Sequence, residues 1–214
     1  MNSYRVAILG ATGAVGQELL MLLAKRHFPT SAVRLLASPR SSGRTLPYRG
    51  VNVPVSAVSE SLFDDVQIAF FSAGSDTAKT WAPIALAKGA VVIDNSSAFR
   101  MDENVPLVIP EINWDIVNES DRLFPVGNCT AIILMMALAP LQKFGNLKRV
   151  VVSTYQSVSG AGARAMDELQ AQMNAISRGE NPRAEVFPQQ IACNLFSHNT
   201  PINEHGYNGE EWKV

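Results

Sequence analysis

Apolar and polar positions follow two rhythms along this chain. Val6 to Leu9, Val33-Arg34-Leu35-Leu36-Ala37, Ile68-Ala69-Phe70-Phe71 and Val91-Val92-Ile93 are short apolar runs that read as buried strands. Between them lie helical patterns. Val15, Leu19, Leu22 and Leu23 supply an apolar face after the first run, and a second helix is predicted from about Asp76 to Lys88. Strand, helix and strand in this order predict parallel pairing with right-handed crossovers, hence a doubly wound α/β domain. Ser38 to Pro54 is polar and carries Gly, Pro and Ser, which suits loop and sheet edge better than core.

The texture changes near Gly127. Thr130 to Ala139 is almost unbroken in its apolar character, long enough for a buried helix and too short to span a bilayer. Leu147 to Val158 is predicted as a long strand, with Val150, Val152, Gln156 and Val158 on one face. Gly160-Ala161-Gly162 opens a helix whose Met166, Leu169, Met173 and Ile176 form a stripe suited to core or subunit interface. A Pro- and Asn-rich stretch runs from Asn181 to Asn208. The predicted domains are therefore 1–127, doubly wound, and 128–214, an α+β domain. Asn208-Gly209-Glu210-Glu211 has a capping residue and first-turn acids, the signature of a helix start. The sequence stops at Val214 just as that element begins, so a fragment of a longer protein is expected.

Composition narrows the classes. The 214 residues are 47% hydrophobic and 17% charged with a net charge of −1, which describes a soluble globular protein with material for a substantial core. That balance leaves no electrostatic footprint for nucleic acid or a membrane surface. Cys129 and Cys193 are the only cysteines and have no metal-ligand spacing, so neither a disulfide framework nor a metal site is expected. No signal-peptide pattern precedes Tyr4, and the cytoplasm is the default compartment.

Two features carry chemistry. Gly10-Ala11-Thr12-Gly13-Ala14-Val15-Gly16 lies between the first strand and the first helix, where a Rossmann-type fold needs glycines for its turn and for close approach to a pyrophosphate. Its G-x-x-G-x-x-G spacing is a variant of the dinucleotide fingerprint. An NAD site places an acid on the ribose roughly 20 residues past the glycines. Here the second strand runs out into Ser38-Pro39-Arg40-Ser41-Ser42-Gly43-Arg44, where Arg40 and a serine hydroxyl suit a 2′-phosphate, so NADP is the expected cofactor. The second feature is Cys129, which follows Gly127-Asn128 at the start of the apolar helix. There the unpaired N–H groups and the helix dipole favour thiolate over thiol. Taken alone, Cys129 is equally compatible with an ordinary packed cysteine. Beside a nucleotide fold it suggests a thiolate that captures a carbonyl while a nicotinamide exchanges hydride with it.

Five motifs in order extend this reading. They are the glycine loop, Asp94-Asn95-Ser96-Ser97-Ala98-Phe99-Arg100-Met101, Gly127-Asn128-Cys129-Thr130, Thr154-Tyr155-Gln156-Ser157-Val158-Ser159-Gly160-Ala161-Gly162, and Glu210-Glu211-Trp212-Lys213. Together they resemble the aspartate-semialdehyde dehydrogenase family over the whole chain and over the greater part of the family's length. The resemblance implies NADP- and phosphate-dependent interconversion of L-aspartate 4-semialdehyde and 4-phospho-L-aspartate through a cysteine thioester, on the branch to lysine, methionine and threonine. It implies a homodimer built largely from the second domain, with a small-molecule substrate and inorganic phosphate as partners.

Carried over by residue, the resemblance makes Cys129 the nucleophile and Gln156 the group that orients the acyl portion. Thr12, Gly13, Ala14, Val15, Arg40, Ser41, Ser159 and Gly160 would contact the cofactor. Arg100 and Asn128 would bind phosphate, Glu210 would meet the substrate amino group, and Lys213 would meet phosphate. The family's general-base histidine and carboxylate-binding arginine would lie beyond Val214. His27, His198 and His205 fall in none of the motifs, and the 214 residues alone are expected to be catalytically incomplete. Gly127 stands where many relatives carry proline. N-acetyl-glutamyl-phosphate reductase shares the fold and thioester chemistry but has a different motif around its cysteine. A non-catalytic Rossmann homologue acting as a binding module is the alternative from another class, and it would not need the helix-start cysteine or Gln156.

Overall fold

The computed structural model describes residues 3–198 and 200–214. Internal contacts divide the chain into two compact units, Met1–Gly127 and Asn128–Val214.

The first unit is built on seven strands, β1 Tyr4–Leu9, β2 Thr30–Ala37, β3 Thr45–Tyr48, β4 Val51–Ala57, β5 Ile68–Phe71, β6 Val91–Asp94 and β7 Leu123–Pro125. Their order is β3-β4-β2-β1-β5-β6-β7. All neighbours are parallel except the β3–β4 pair. Val6 lies opposite Val33 and Ile68, and Leu9 opposite Leu36 and Phe71. Side chains alternate between faces along a strand, so β1 feeds two cores. Val6 and Ile8 pack with Leu20 and Leu23 of helix α1 (Ala14–Lys25) and with Leu35 and Tyr48. Ala7 and Leu9 pack with Phe63, Phe71 and the Ala78, Ala82 and Ala85 edge of helix α2 (Ser75–Ala87). Covering a parallel sheet on both faces makes its strands continuous apolar runs, as the sequence pattern requires.

Three details depart from the sequence reading. On α1 the buried positions are Gly16, Leu20 and Leu23, spaced by four and three residues, whereas Val15 and Leu22 are exposed. The packed stripe is thus rotated by the close contact at Gly16. Within 38–54 the chain forms a hairpin whose edge strand β3 buries Leu46 and Tyr48. Its turn, Arg49-Gly50, has positive φ at both residues (47° and 81°), the geometry that suits a two-residue hairpin. An arginine in that conformation gives no turn signal in sequence. β4 and the three-residue β7 were not predicted, the first because its alternating polar residues read as loop, the second because of its length.

The second unit contains α4 (Cys129–Leu138) and α5 (Ala163–Ser177), after the short α3 (Pro110–Asn113) of the first unit. Helix α4 is apolar all round, yet none of its residues is buried, and Ile133 is 72% exposed. The expected buried helix is therefore a formed helix without cover in this structure. The long strand predicted over Leu147–Val158 is absent, and residues 145–157 carry no regular structure. A strand exists by pairing, and no described segment pairs with this one, which leaves Val151 and Tyr155 exposed.

Helix α5 buries a polar face. Glu168 and Gln172 are enclosed, while Met173 and Ile176 of the expected core stripe stay partly exposed. The buried pair serves backbone N–H groups of the irregular segment that follows. The Glu168 carboxylate accepts from Glu185, Val186 and Phe187, and Gln172 Oε1 accepts from Ile191 (2.9 Å) and Ala192 (3.0 Å). Burial raises the Glu168 carboxyl pKa, but these donors and nearby Arg164 outweigh it and hold the group below its ordinary value. No described helix is long and apolar enough to cross a membrane.

Candidate active site

The glycine loop sits at the carboxyl end of β1, between the β2 and β5 sides of the sheet, where the strand order reverses. Open parallel sheets bind ligands at that switch point. Gly10 has φ +88°, and a Cβ there would lie 2.6 Å from the Ser72 carbonyl oxygen after β5. A Cβ at Gly16 would collide with the Gly10 carbonyl and come within 2.8 Å of the Ala11 Cα. The glycines therefore permit both the turn and the approach of helix to strand.

Gly13 is the N-cap of α1, with no side-chain cap and no acid in the first turn. The N–H groups at Ala14 and Val15 thus begin a helix open to an anion. Thr12 Oγ1 donates to Ser41 Oγ at 3.4 Å, tying the glycine loop to the Pro39–Ser41 turn after β2. Arg40 is exposed in that turn and has no ion-pair partner among the described residues. This cradle, free N–H groups and unpaired guanidinium fit a dinucleotide with an added phosphate. Gly16→Ala is expected to lower unfolding stability by about 2–3 kcal/mol and to weaken dinucleotide binding. Chemical denaturation and cofactor titration check both effects.

Arg100 is positioned by a different loop. Asp94, fully buried at the end of β6, accepts from the Ser96 N–H (2.9 Å) and Ser96 Oγ (2.7 Å), and Ser96 Oγ in turn accepts from Ala98 N–H. Within the loop so folded, Arg100 Nε donates to the Val126 carbonyl (2.7 Å) and Nη2 to the Asn95 carbonyl (3.1 Å). Two of its N–H groups orient the guanidinium and the others remain for a ligand. The sequence reading quoted Asp94 within its motif but assigned it no part. Its supporting role follows from burial, which sequence does not display.

The thiol lies in the second unit. Asn128 is the N-cap of α4: its Oδ1 accepts from Thr130 N–H (3.0 Å) and Ala131 N–H (3.1 Å). Cys129 is thereby the first residue of the helix, and it is exposed. Beside it three polar side chains converge on one carboxylate. Glu210 Oε1 accepts from Asn128 Nδ2 (2.8 Å) and Gln156 Nε2 (3.0 Å), and Oε2 accepts from Lys213 Nζ (3.0 Å). Gln156 Nε2 also donates to Thr130 Oγ1 at 2.8 Å. Burial would raise the Glu210 carboxyl pKa. The donors Asn128, Gln156 and Lys213, with the charge of Lys213, overcome that and bring it down to about 2.

Glu210 is delivered by a reciprocal cap. Asn208 Oδ1 accepts from the N–H groups of Glu210 and Glu211, both at 2.9 Å, while Glu211 Oε2 accepts from Asn208 N–H. The predicted helix start is thus real, although only a single 3-10 turn, Glu211–Lys213, follows it.

Asn128, Cys129, Gln156, Glu210 and Lys213 are therefore gathered into one cluster. Thr12 to Val15 and Ser41 form another, with Arg40 beside them. Ser159 and Gly160 lie in the turn Val158–Ala161, where the Ser159 hydroxyl bonds that of Ser157 and the Ser159 carbonyl accepts from Gly162 N–H, and among the described residues no hydrogen bond joins them to either set. None of the three histidines enters these sets. His198 bonds Thr200, His205 stacks on Trp212, and His27 stands at φ +51° after α1. Thr130 is a member that sequence reasoning left without a role, whereas Asn208 caps the turn as its sequence context predicts.

Comparison with known proteins follows this geometry. The family model "Semialdehyde dehydrogenase, NAD binding domain" matches residues 5–120, and "Semialdehyde dehydrogenase, dimerisation domain" matches 138–214. A Synechocystis sp. aspartate-semialdehyde dehydrogenase is 50% identical over 98% of this chain and 62% of its own length. The Vibrio cholerae aspartate semialdehyde dehydrogenase II complexed with ASA superposes with a TM-score of 0.95 at 41% identity. That match covers all of this chain and 64% of the other. The Candida albicans enzyme with NADP matches 74% of this chain and 52% of its own at a TM-score of 0.60 and 25% identity. The chain thus spans a little under two thirds of the length of these relatives. Two adjoining family matches and a superposition over its whole length place this chain in the semialdehyde dehydrogenase family.

Proposed function

We propose that the protein containing this chain interconverts L-aspartate 4-semialdehyde and 4-phospho-L-aspartate, using NADP and phosphate, on the route to lysine, methionine and threonine. Residues 1–127 would form the NADP-binding domain, and 128–214 the nucleophile-bearing and dimerisation part of a cytoplasmic homodimer. The observation that carries this reading is the exposed Cys129 at the first position of α4, with Asn128, Gln156, Glu210 and Lys213 arranged beside it.

In the biosynthetic direction the Cys129 sulfur attacks the acyl carbon of the acyl phosphate. The bond to phosphate breaks, leaving a thioester, and a covalent intermediate divides one hard step into two easier ones. Arg100 receives the phosphate on the N–H groups its backbone anchors leave free. Gln156 commits an N–H to Glu210 and to Thr130, so its carbonyl oxygen is the edge it turns toward substrate. Glu210, kept ionised by its donors, pairs with the substrate ammonium, and Lys213 lies one turn away for phosphate. Bound NADPH would supply a hydride to the thioester carbon, and loss of the carbon–sulfur bond would give the aldehyde and return Cys129 as the thiolate. Thr12 to Val15 would hold the pyrophosphate with backbone N–H groups and Arg40 and Ser41 the 2′-phosphate, and Ser159 and Gly160 would also contact the cofactor. The relative whose structure was solved with NADP supports the choice of dinucleotide.

The test is to follow NADPH formation by the natural protein from L-aspartate 4-semialdehyde, with and without phosphate. Turnover independent of phosphate would overturn the acyl-phosphate chemistry. Arg40→Ala should weaken NADP binding about 10- to 100-fold, the range expected for losing a charged hydrogen-bonding partner, and leave NAD binding nearly unchanged. Equal losses for both cofactors would remove the basis for NADP selectivity.

A further inference from the structure

We infer that Thr130 is a positioning residue that couples the Gln156 amide to the Cys129 sulfur, an inference that rests on the reading of Cys129 as the nucleophile. Thr130 Oγ1 accepts a hydrogen bond from Gln156 Nε2 at 2.8 Å. One of its two lone pairs is thereby engaged, and its own hydrogen remains to be donated. Cys129 Sγ lies 3.9 Å away, and either atom of that pair can be the donor while the sulfur is a thiol; as a thiolate the sulfur can only accept, and Thr130 is then the donor. The rest of the residue is held as firmly, because the Thr130 N–H is bound to the Asn128 Oδ1 cap at 3.0 Å. Rotation of the hydroxyl about χ1 would break its bond from Gln156.

The chain of donors therefore has one direction. Gln156 Nε2 gives one hydrogen to the Glu210 carboxylate and one to Thr130, and Thr130 gives its hydrogen toward sulfur. A hydroxyl that is already accepting is polarised into a stronger donor. Charge-assisted bonds are the strong members of such a network, so the Thr130 hydroxyl stabilises negative charge on Sγ. The same link fixes which edge of the Gln156 amide is free. With both N–H groups engaged, its carbonyl is the part presented. Glu210 and Lys213 are the charged groups joined to this network, and both reach sulfur only through Asn128, Gln156 and Thr130. Valine in place of Thr130 keeps the shape and removes the hydroxyl, and serine keeps the hydroxyl and removes the methyl group.

The experiment measures alkylation of the 214-residue chain by iodoacetamide at pH 7, with peptide mass spectrometry reading Cys129 and Cys193 separately. Both thiols are exposed, so Cys193 serves as a reference in the same molecule. Thr130→Val should slow labelling of Cys129 about three- to tenfold, the scale of losing one hydrogen bond to a charged group. Thr130→Ser should restore it to within about twofold, with Cys193 unchanged in both. Wild-type labelling in Thr130→Val, or an equal loss in Thr130→Ser, would overturn the inference. Should Thr130→Val also change the Cys193 rate, as a misfolded chain would, Gln156→Met decides. It removes the donor to Thr130 from outside the helix, and slowed labelling at Cys129 alone supports the coupling whereas an unchanged rate refutes it. No substrate or cofactor enters this assay, so failure of the dehydrogenase reading and failure of the Thr130 link give different results.

Discussion

Cys129→Ala in the natural protein is expected to abolish turnover, by on the order of 10⁴-fold or more in kcat, while NADP binding stays close to that of the parent. The substitution removes the sulfur proposed to form the acyl bond. Asn128, Gln156, Thr130, Glu210 and Lys213 keep their hydrogen bonds to one another, since none of these depends on the thiol. The glycine loop belongs to the other compact unit and holds its shape through Gly10, Gly16 and Ser72. Loss of activity should therefore come without loss of fold. Steady-state kinetics with cofactor titration and a denaturation curve measure the three quantities on the same sample. An active alanine variant would remove the thioester from the mechanism, and a variant that had lost NADP binding would mean that the two sites are not separable.

Glu210→Gln should have the second largest effect, on stability and activity together. The carboxylate receives Asn128, Gln156 and Lys213, and the neutral amide puts donors against donors and leaves Lys213 without its counter-charge. A loss of about 2 kcal/mol is expected at neutral pH, the scale of hydrogen bonds to a charged group. The sign of its pH dependence follows from the Glu210 pKa, which falls from an ordinary 4.5 to about 2 on folding. A depressed carboxylate contributes stability in full above the unfolded value, and that contribution disappears as pH drops through the folded one. The gap between parent and Glu210→Gln should thus be constant above about pH 5 and close between roughly 4.5 and 2. Glu168, whose pKa is also lowered, adds stability of the same sign in both proteins, so it cancels in the comparison. Urea midpoints across pH 2 to 7 give the answer. A gap that widens in acid would mean that Glu210 is not held ionised by its neighbours. Activity should fall through a higher KM for the aminated substrate, since Glu210 is proposed to meet its ammonium group.

What could be read from residues alone was set by how local the physics is. β1, β5 and β6 are buried on both faces, and a fully buried parallel strand writes a short apolar run that its length and flanking turn residues separate from a helix. The start of α4 and the Asn208 cap were likewise legible, because capping involves residues two or three apart. The β3–β4 hairpin was hidden, since its turn is formed by Arg49 in a conformation that arginine seldom adopts. Leu147 to Val158 erred in the other direction. Its alternation is sound strand chemistry, but pairing depends on a second segment, and a one-dimensional pattern carries no information about whether one is present. Burial of α4 failed for the same reason: an apolar surface states what should be covered, not what covers it. The thiol cluster sits between these cases. Each member could be singled out by motif, but the convergence of Asn128 and Gln156 on Glu210, and the bond from Gln156 to Thr130, are contacts across 26 to 82 residues of sequence.

The grip of α5 on the segment beyond it has a consequence for which substitutions the molecule can absorb. Glu168 and Gln172 recognise that segment through main-chain N–H groups, which every residue except proline possesses. The side chains at Glu185, Val186, Ile191 and Ala192 are therefore free to drift so long as they fit, with proline alone forbidden at those bonded amides. The two helix positions have no such latitude, because nothing shorter or uncharged than glutamate at 168 can serve three amides at once. Variation should accumulate on the coil and be withheld from the helix that holds it, the reverse of what the polarity of Glu168 and Gln172 would suggest.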